Sequence, residues 1–160
     1  MINKPKLIIF ASGSHDAGGS GFENLARSME LEADIVAVVS NHESGGVRKR
    51  ADALKVPFVY FSGPFDAVHY REIVVTHGAE YAALSGWLKK VSGLDPARTF
   101  NVHPALLSFD HGRFGGPGHY GHHVHEAVKK ALDAGEIIES GLSMHFVTDE
   151  YKASGGRLSL

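Results

Sequence analysis

The 160-residue sequence contains no cysteine, which excludes disulfides, thiolate-ligated zinc, iron–sulfur clusters and a cysteine nucleophile. Positive charge is not in excess: 16 Lys and Arg stand against 18 Asp and Glu, for a net charge of −2. Nothing therefore advertises nucleic acid or an anionic membrane as a partner. No apolar run reaches the roughly 18 residues a transmembrane helix needs. The first residues, Met1-Ile2-Asn3-Lys4-Pro5, lead into a short strand-like run and lack the long apolar region and small-residue cleavage site of a signal peptide. The expectation is a soluble cytoplasmic protein whose length fits one domain. What the chain has in quantity is histidine and glycine: 11 His, seven of them between His103 and His145, and 19 Gly.

Lys6 to Ala11 is a continuous β-prone apolar run, the pattern of a strand buried on both faces. A glycine-rich loop from Ser12 to Gly21 follows, then helical spacing from Phe22 to Met29. Asp34–Ser40 repeats the buried-strand pattern, Gly46–Leu54 reads as a helix, Pro57–Phe61 as a strand, Phe65–Thr76 as a helix and Glu80–Ser85 as a strand. Strands and helices alternating at this spacing predict parallel βαβ units, an α/β fold with a doubly wound, mostly parallel, Rossmann-like sheet. In such a sheet ligands bind beyond the carboxyl ends of the strands. The second half departs from this rhythm. Arg98–Val102 reads as a short strand, His103–His122 as a loop with five glycines and two prolines wrapped over a site, Gly121–Ala134 as a helix and Ile138–Val147 as a last strand.

The loop after the first strand exposes backbone N–H groups at a helix N-terminus, which suits a phosphate. It is neither a P-loop nor a clean GxGxxG, and a structural turn explains it as well. Ser40-Asn41-His42 supplies no acidic residue at the end of the second strand, which disfavours a dinucleotide.

At Asn101-Val102-His103-Pro104 strand alternation puts Asn101 and His103 on one side. A neutral amide donor and a protonated imidazole there would stabilise the oxyanion of a tetrahedral intermediate, acyl transfer without a covalent nucleophile. The alternative is a strand-end histidine satisfied by a backbone carbonyl. Further on, His119 and His123 lie four apart and His122 and His125 three apart, spacings that would let helical pairs bind zinc. No HExxH-type glutamate accompanies them and Gly121 interrupts the register, so no metal is expected; the run is read as lining a pocket.

With the glycine loop, Asn101-Val102-His103-Pro104 and Ser143-Met144-His145-Phe146-Val147-Thr148-Asp149 in this order, the chain resembles the folate-dependent formyltransferases over about residues 6 to 151. The resemblance implies a formyltransferase fold, with residues 1–151 as the formyltransferase-like domain and 152–160 as a tail outside it. It implies transfer of a formyl group from 10-formyltetrahydrofolate, the co-substrate, to the amine of glycinamide ribonucleotide in purine biosynthesis. The alternatives are an amino sugar nucleotide or charged initiator tRNA as acceptor, or a chain that binds without turnover. By the same resemblance Gly19, Ser20 and Gly21 hold the substrate phosphate, and Asn101 and His103 are the catalytic amide and imidazole. Trp87, Leu88, Lys89, Lys90 and Asn101 form one wall of the folate pocket, and Thr148, Asp149, Glu150 and Tyr151 the other.

The chain departs from the family pattern after Tyr151. Lys152 stands where a family aspartate assists proton transfer, which leaves Asp149 or Glu150 as the substitute carboxylate, with Asp149 assigned to the catalytic set. The expectation is a family member truncated at its C-terminus, lacking the last strand and helix, with low activity and with uncovered apolar surface that favours a homo-oligomer. The segment Ala153–Leu160 is read as a cloning scar or frameshifted end.

Overall fold

A computed structural model describes residues 3–13, 17–116, 119 and 122–147, without the side chains of Asp110 and His122. The elements are β1 (Lys6–Phe10), α1 (Ser20–Arg27), β2 (Asp34–Ser40), α2 (Gly46–Leu54), β3 (Phe58–Tyr60), α3 (Ala67–Thr76), β4 (Tyr81–Ser85), β5 (Thr99–His103), a short 3₁₀ turn (Phe109–His111), α4 (His122–Asp133) and β6 (Ser143–Phe146). Strand order is β3-β2-β1-β4-β5-β6. The pairs β1–β2, β1–β4 and β2–β3 are parallel, as right-handed crossovers through α1, α2 and α3 require. The order reverses direction between β1 and β4, so the crevice at their carboxyl ends is the topological switch point, the place where such sheets bind ligands.

Among the described residues the chain forms two compact units, one running to Asn101 and including Phe146 and Val147, the other Val102–His145. In the first unit the buried strands divide their side chains between the two faces of the sheet. Ile8, Phe10, Ala37, Val39, Ala82 and Leu84 pack with Tyr70 and Trp87, whereas Leu7, Ile9, Val38 and Ala83 pack with Phe22, Val47 and Ala51 of α1 and α2. Apolar residues at the consecutive positions Leu7–Phe10 of β1, rather than at alternate ones, are what two covered faces demand. Each fully buried side chain of this kind contributes about 1.5–3 kcal/mol relative to exposure. In the second unit Ala105, Phe114, Val124, Val128 and Ala131 form a separate small core.

The bounds of β2 and α2 agree with the sequence pattern, those of β1, β3, α3, β4 and α4 lie inside the expected ranges by one or two residues, and four other segments differ in ways that bear on the site. α1 begins two residues early, so Ser20 and Gly21 lie in its first turn rather than in the preceding loop. β5 runs on to include His103. The last strand shrinks to Ser143–Phe146, with Ile138 almost fully exposed, because apolar residues at 137 and 138 are followed by the polar, exposed Glu139-Ser140-Gly141, which lie outside any strand. The long loop contains the 3₁₀ turn at Phe109–His111.

Candidate active site

Chain exit from β1 is set by Ser12, a residue only 2% exposed that uses all three of its polar groups. Its N–H donates to the Gly86 carbonyl (3.2 Å), its Oγ accepts from the Leu88 N–H (2.9 Å) and its carbonyl accepts from Ser40 Oγ (2.9 Å). Ser40, also buried, accepts in turn from the His42 N–H (3.2 Å). The exits of β1, β2 and β4 are thus tied at one residue.

From there the glycine loop reaches α1. Gly19 is the helix N-cap at φ 80°, a left-handed conformation that offers no side-chain cap to the first turn. Gly19 is buried, Ser20 exposed and Gly21 half-buried. α2 supports the loop from below. Arg50 Nη1 donates to the Gly18 carbonyl (2.8 Å) and its Nε to Glu23 (2.8 Å). Hydrogen bonds from Arg27 and then Arg50 hold the Glu23 carboxyl below its usual range. Gly46, at the start of α2, lies so close that a Cβ there would stand 2.7 Å from the Ala17 carbonyl carbon and oxygen.

The segment 86–90, expected to face folate, divides by side chain. Trp87 is buried, its ring edge-on to Phe10 (centroids 5.5 Å apart) and stacked on Phe61 (6.5 Å). The Trp87 ring is therefore core, and what the segment offers to a ligand is its backbone with the exposed Leu88, Lys89 and Lys90. Tyr70 of α3 anchors it: Trp87 Nε1 donates to the Tyr70 hydroxyl (3.0 Å), which donates to the Lys90 carbonyl (2.9 Å). Burial pushes the Tyr70 pKa up to about 12, so it stays a neutral donor.

Asn101 and His103 share β5 and, two residues apart, face the same side of that strand. Asn101 is half-buried and His103 is 9% exposed. The His103 Nε2 lies 2.7 Å from the Phe114 carbonyl oxygen. A carbonyl only accepts, so Nε2 carries the proton and Nδ1 is the site left for chemistry. Burial lowers the His103 pKa; the bond to Phe114 opposes this, and repulsion from His145 and His119 adds to it. The neutral ring is thus the favoured form, against the protonated one anticipated from the sequence. His145 is half-buried, and the His119 Nδ1 is a buried atom with no partner among the described residues.

Thr148, Asp149, Glu150 and Tyr151 lie outside the described residues. Among the described residues no group of three or more His, Asp or Glu side chains is placed to hold a metal ion, and no helix is long and apolar enough to cross a membrane. Two cavities lie in the second unit, one of about 470 Å³ beside Val128, Leu132 and Leu142 and one of about 280 Å³ beside Arg113, Phe114 and His119. Neither is lined by a residue assigned to phosphate, folate or catalysis. Sequence reasoning missed Ser12, Ser40, Tyr70 and Phe114. For the two serines a signal exists, since each closes a buried apolar strand with a polar residue that must find a partner. Phe114 acts through its backbone and carries none.

Comparison with known proteins gives a consistent picture. The formyl transferase family model matches residues 5–155. The chloroplastic phosphoribosylglycinamide formyltransferase of Arabidopsis thaliana is 33% identical over 162 residues, covering 92% of this chain and 51% of the relative. Glycinamide ribonucleotide transformylase 1 from Symbiobacterium toebii shares the fold with a TM-score of 0.71 at 21% identity, over 95% of this chain and 70% of its own. Phosphoribosylglycinamide formyltransferase from Brucella melitensis reaches a TM-score of 0.68 at 28% identity, over 92% of this chain and 74% of its own. The chain spans about half the length of the curated relatives it matches.

Proposed function

The chain belongs to the formyl transferase family, and from that premise we propose that it transfers a formyl group from 10-formyltetrahydrofolate to the amine of glycinamide ribonucleotide. The observation that carries the reading is Asn101-Val102-His103-Pro104, with Asn101 and His103 on β5 and the imidazole tautomer set by the Phe114 carbonyl. Both curated relatives carry the name phosphoribosylglycinamide formyltransferase, which supports this acceptor over an amino sugar nucleotide or charged initiator tRNA.

In the proposed reaction the substrate amine attacks the formyl carbon attached to N10. The carbonyl π electrons move to oxygen, and the Asn101 amide donates a hydrogen bond to the oxyanion. The neutral His103 accepts the proton released by the attacking nitrogen at Nδ1. Collapse re-forms the carbonyl and breaks the bond to N10, which takes the proton held at His103 Nδ1 and leaves as tetrahydrofolate, restoring the neutral imidazole. Asp149 is proposed as the carboxylate assisting that proton transfer. The backbone around Gly19, Ser20 and Gly21 holds the ribonucleotide phosphate. The 86–90 segment, through its backbone, Leu88, Lys89 and Lys90, grips the pteridine together with Asn101, and Thr148, Glu150 and Tyr151 supply the opposing wall.

The same reading includes two further proposals: a cytoplasmic location, and self-association through the exposed Ile138, Leu142 and Met144 of the second unit. The direct test of function is an assay of formyl transfer to glycinamide ribonucleotide, with enzyme stoichiometric to substrate. Formylated product is expected. Binding of both ligands without product would reassign the chain to ligand binding alone.

A further inference from the structure

The hydrogen bonds at Ser12 join two regions that the proposed function gives to different ligands. One is the glycine loop that leaves β1: Gly13 (φ 67°), directly after Ser12, packs so closely on Gly18, the neighbour of the N-cap Gly19, that a Cβ on Gly18 would stand 2.2 Å from the Gly13 Cα. The other is the segment leaving β4, whose Gly86 carbonyl and Leu88 N–H both bind Ser12. A third tie runs from the Ser12 carbonyl to Ser40 Oγ and so to the His42 N–H at the exit of β2. Ser12 and Ser40 are 2% and 1% exposed, so water cannot readily replace either partner. A buried serine whose N–H, hydroxyl and carbonyl are all engaged across three strand exits fixes its own backbone and side-chain torsions together.

We propose that Ser12 is a positioning residue that couples the two ligand sites: occupation of the glycine loop by the acceptor's phosphate orders the folate-gripping segment, and folate binding orders the loop. The inference rests on the functional reading above. Ser12 itself touches neither ligand. Its hydroxyl accepts from Leu88 N–H and so holds that amide at the edge of the segment offered to the pteridine. Coupling of this kind is reciprocal, each ligand tightening the other by the same factor, typically about 5–150-fold. It needs no displacement of a domain, only the packing of Gly13 on Gly18 and the hydrogen bonds of Ser12, which the two ligands restrain from opposite ends.

The test measures, by calorimetry, the affinity of glycinamide ribonucleotide with and without a saturating non-transferring 10-formyl folate analogue, and the converse. The unaltered chain is expected to bind each ligand more tightly, by an equal factor of several-fold, in the presence of the other. Ser12→Ala should bring that factor close to one while shifting the separate affinities less, and Ser12→Cys, which keeps the volume and a weaker hydrogen-bonding group, should restore part of it. Hydrogen exchange at the Leu88 amide supplies a readout on the unaltered protein that no variant's folding can obscure: exchange should slow when glycinamide ribonucleotide alone is added. Independent binding of the two ligands, a coupling factor unchanged in Ser12→Ala, or Leu88 exchange indifferent to the ribonucleotide would each overturn the inference and leave the functional reading standing. An unaltered chain that binds neither ligand would overturn both.

Discussion

Burial reduces the basicity of His103, and the Phe114 carbonyl holds its Nε2 proton, so at neutral pH the ring presents a bare Nδ1. That form accepts a proton and cannot donate to an oxyanion from Nδ1, which is why the proposed mechanism gives the oxyanion to Asn101. Formyl transfer by the unaltered chain is therefore expected to rise as pH climbs through the lowered pKa and to level off by neutrality; a rate that falls between slightly acid and slightly alkaline pH would show that the imidazolium acts instead. Stability follows the same group. Because its folded pKa lies below the unfolded value of 6.5, the folded state binds this proton less readily than the unfolded state does. His103 thus gives its full stabilisation above that unfolded value, and the stabilisation drains away as pH falls toward and through the folded pKa. Thermal melts on acidification should show the unaltered chain losing stability more steeply than His103→Gln, in which that titration is absent. For activity, His103→Ala and His103→Gln should each lower kcat by about 10²–10⁴. Gln can still donate to the Phe114 carbonyl, whereas Ala leaves that oxygen without its partner at a cost of about 1–3 kcal/mol. Equal kcat in the glutamine variant and the unaltered chain would remove His103 from proton transfer; similar melting of the two variants would show that the Phe114 bond contributes nothing.

At the scale of elements, α1 and α2 bring their N-termini to the carboxyl edge of β1 and β2, and both helices start at a glycine N-cap without side-chain caps. α3, by contrast, is capped by Asp66, whose carboxylate accepts from the Val68 and His69 N–H groups (both 3.0 Å). The difference matters because an uncapped first turn keeps N–H groups for an anion. The close approach of Gly46 to the Ala17 carbonyl makes α2 the floor of the glycine loop. Gly46→Ala should push the loop away and weaken binding of glycinamide ribonucleotide at least several-fold, with a smaller loss of folate-analogue affinity passed on through Ser12. Calorimetry on this variant checks both, and unchanged ribonucleotide affinity would separate the loop from phosphate binding. These strands and helices are legible in the sequence because local composition decides them: Leu7–Phe10 is apolar at consecutive positions, and Gly46–Leu54 carries helical spacing ended by Lys55, which turns left-handed at φ 57°. The shared strand of Asn101 and His103 is equally local. What sequence does not disclose is set by distant approach. Trp87, read as a wall of the folate pocket, turns inward because Phe10, Phe61 and Tyr70 converge from three other segments to cover it. Likewise the tautomer of His103 depends on a carbonyl eleven residues away whose side chain gives no hint of it.

For the molecule as a whole, the proposed self-association follows from the outer surface of the second unit. Ile138 is 94% exposed, Leu142 60% and Met144 62%, with Lys129, Glu136 and Glu139 also exposed in the same unit. Two copies related by a two-fold axis present the same surface to each other, so exposed apolar side chains on one can cover those on the other. Sedimentation velocity of the unaltered chain at micromolar concentration should therefore show a species of twice the monomer mass. In a variant carrying Leu142→Lys and Met144→Lys, a dimer would bring four added positive charges together, within the roughly 10 Å over which 0.1 M salt fails to screen them. It should sediment as a monomer with an unchanged far-ultraviolet circular dichroism spectrum. Because neither residue is assigned to a ligand or to proton transfer, ribonucleotide affinity in the variant should match that of the unaltered chain. A monomer at every concentration of the unaltered protein would refute the association, and a variant that still dimerises would move the interface off this patch.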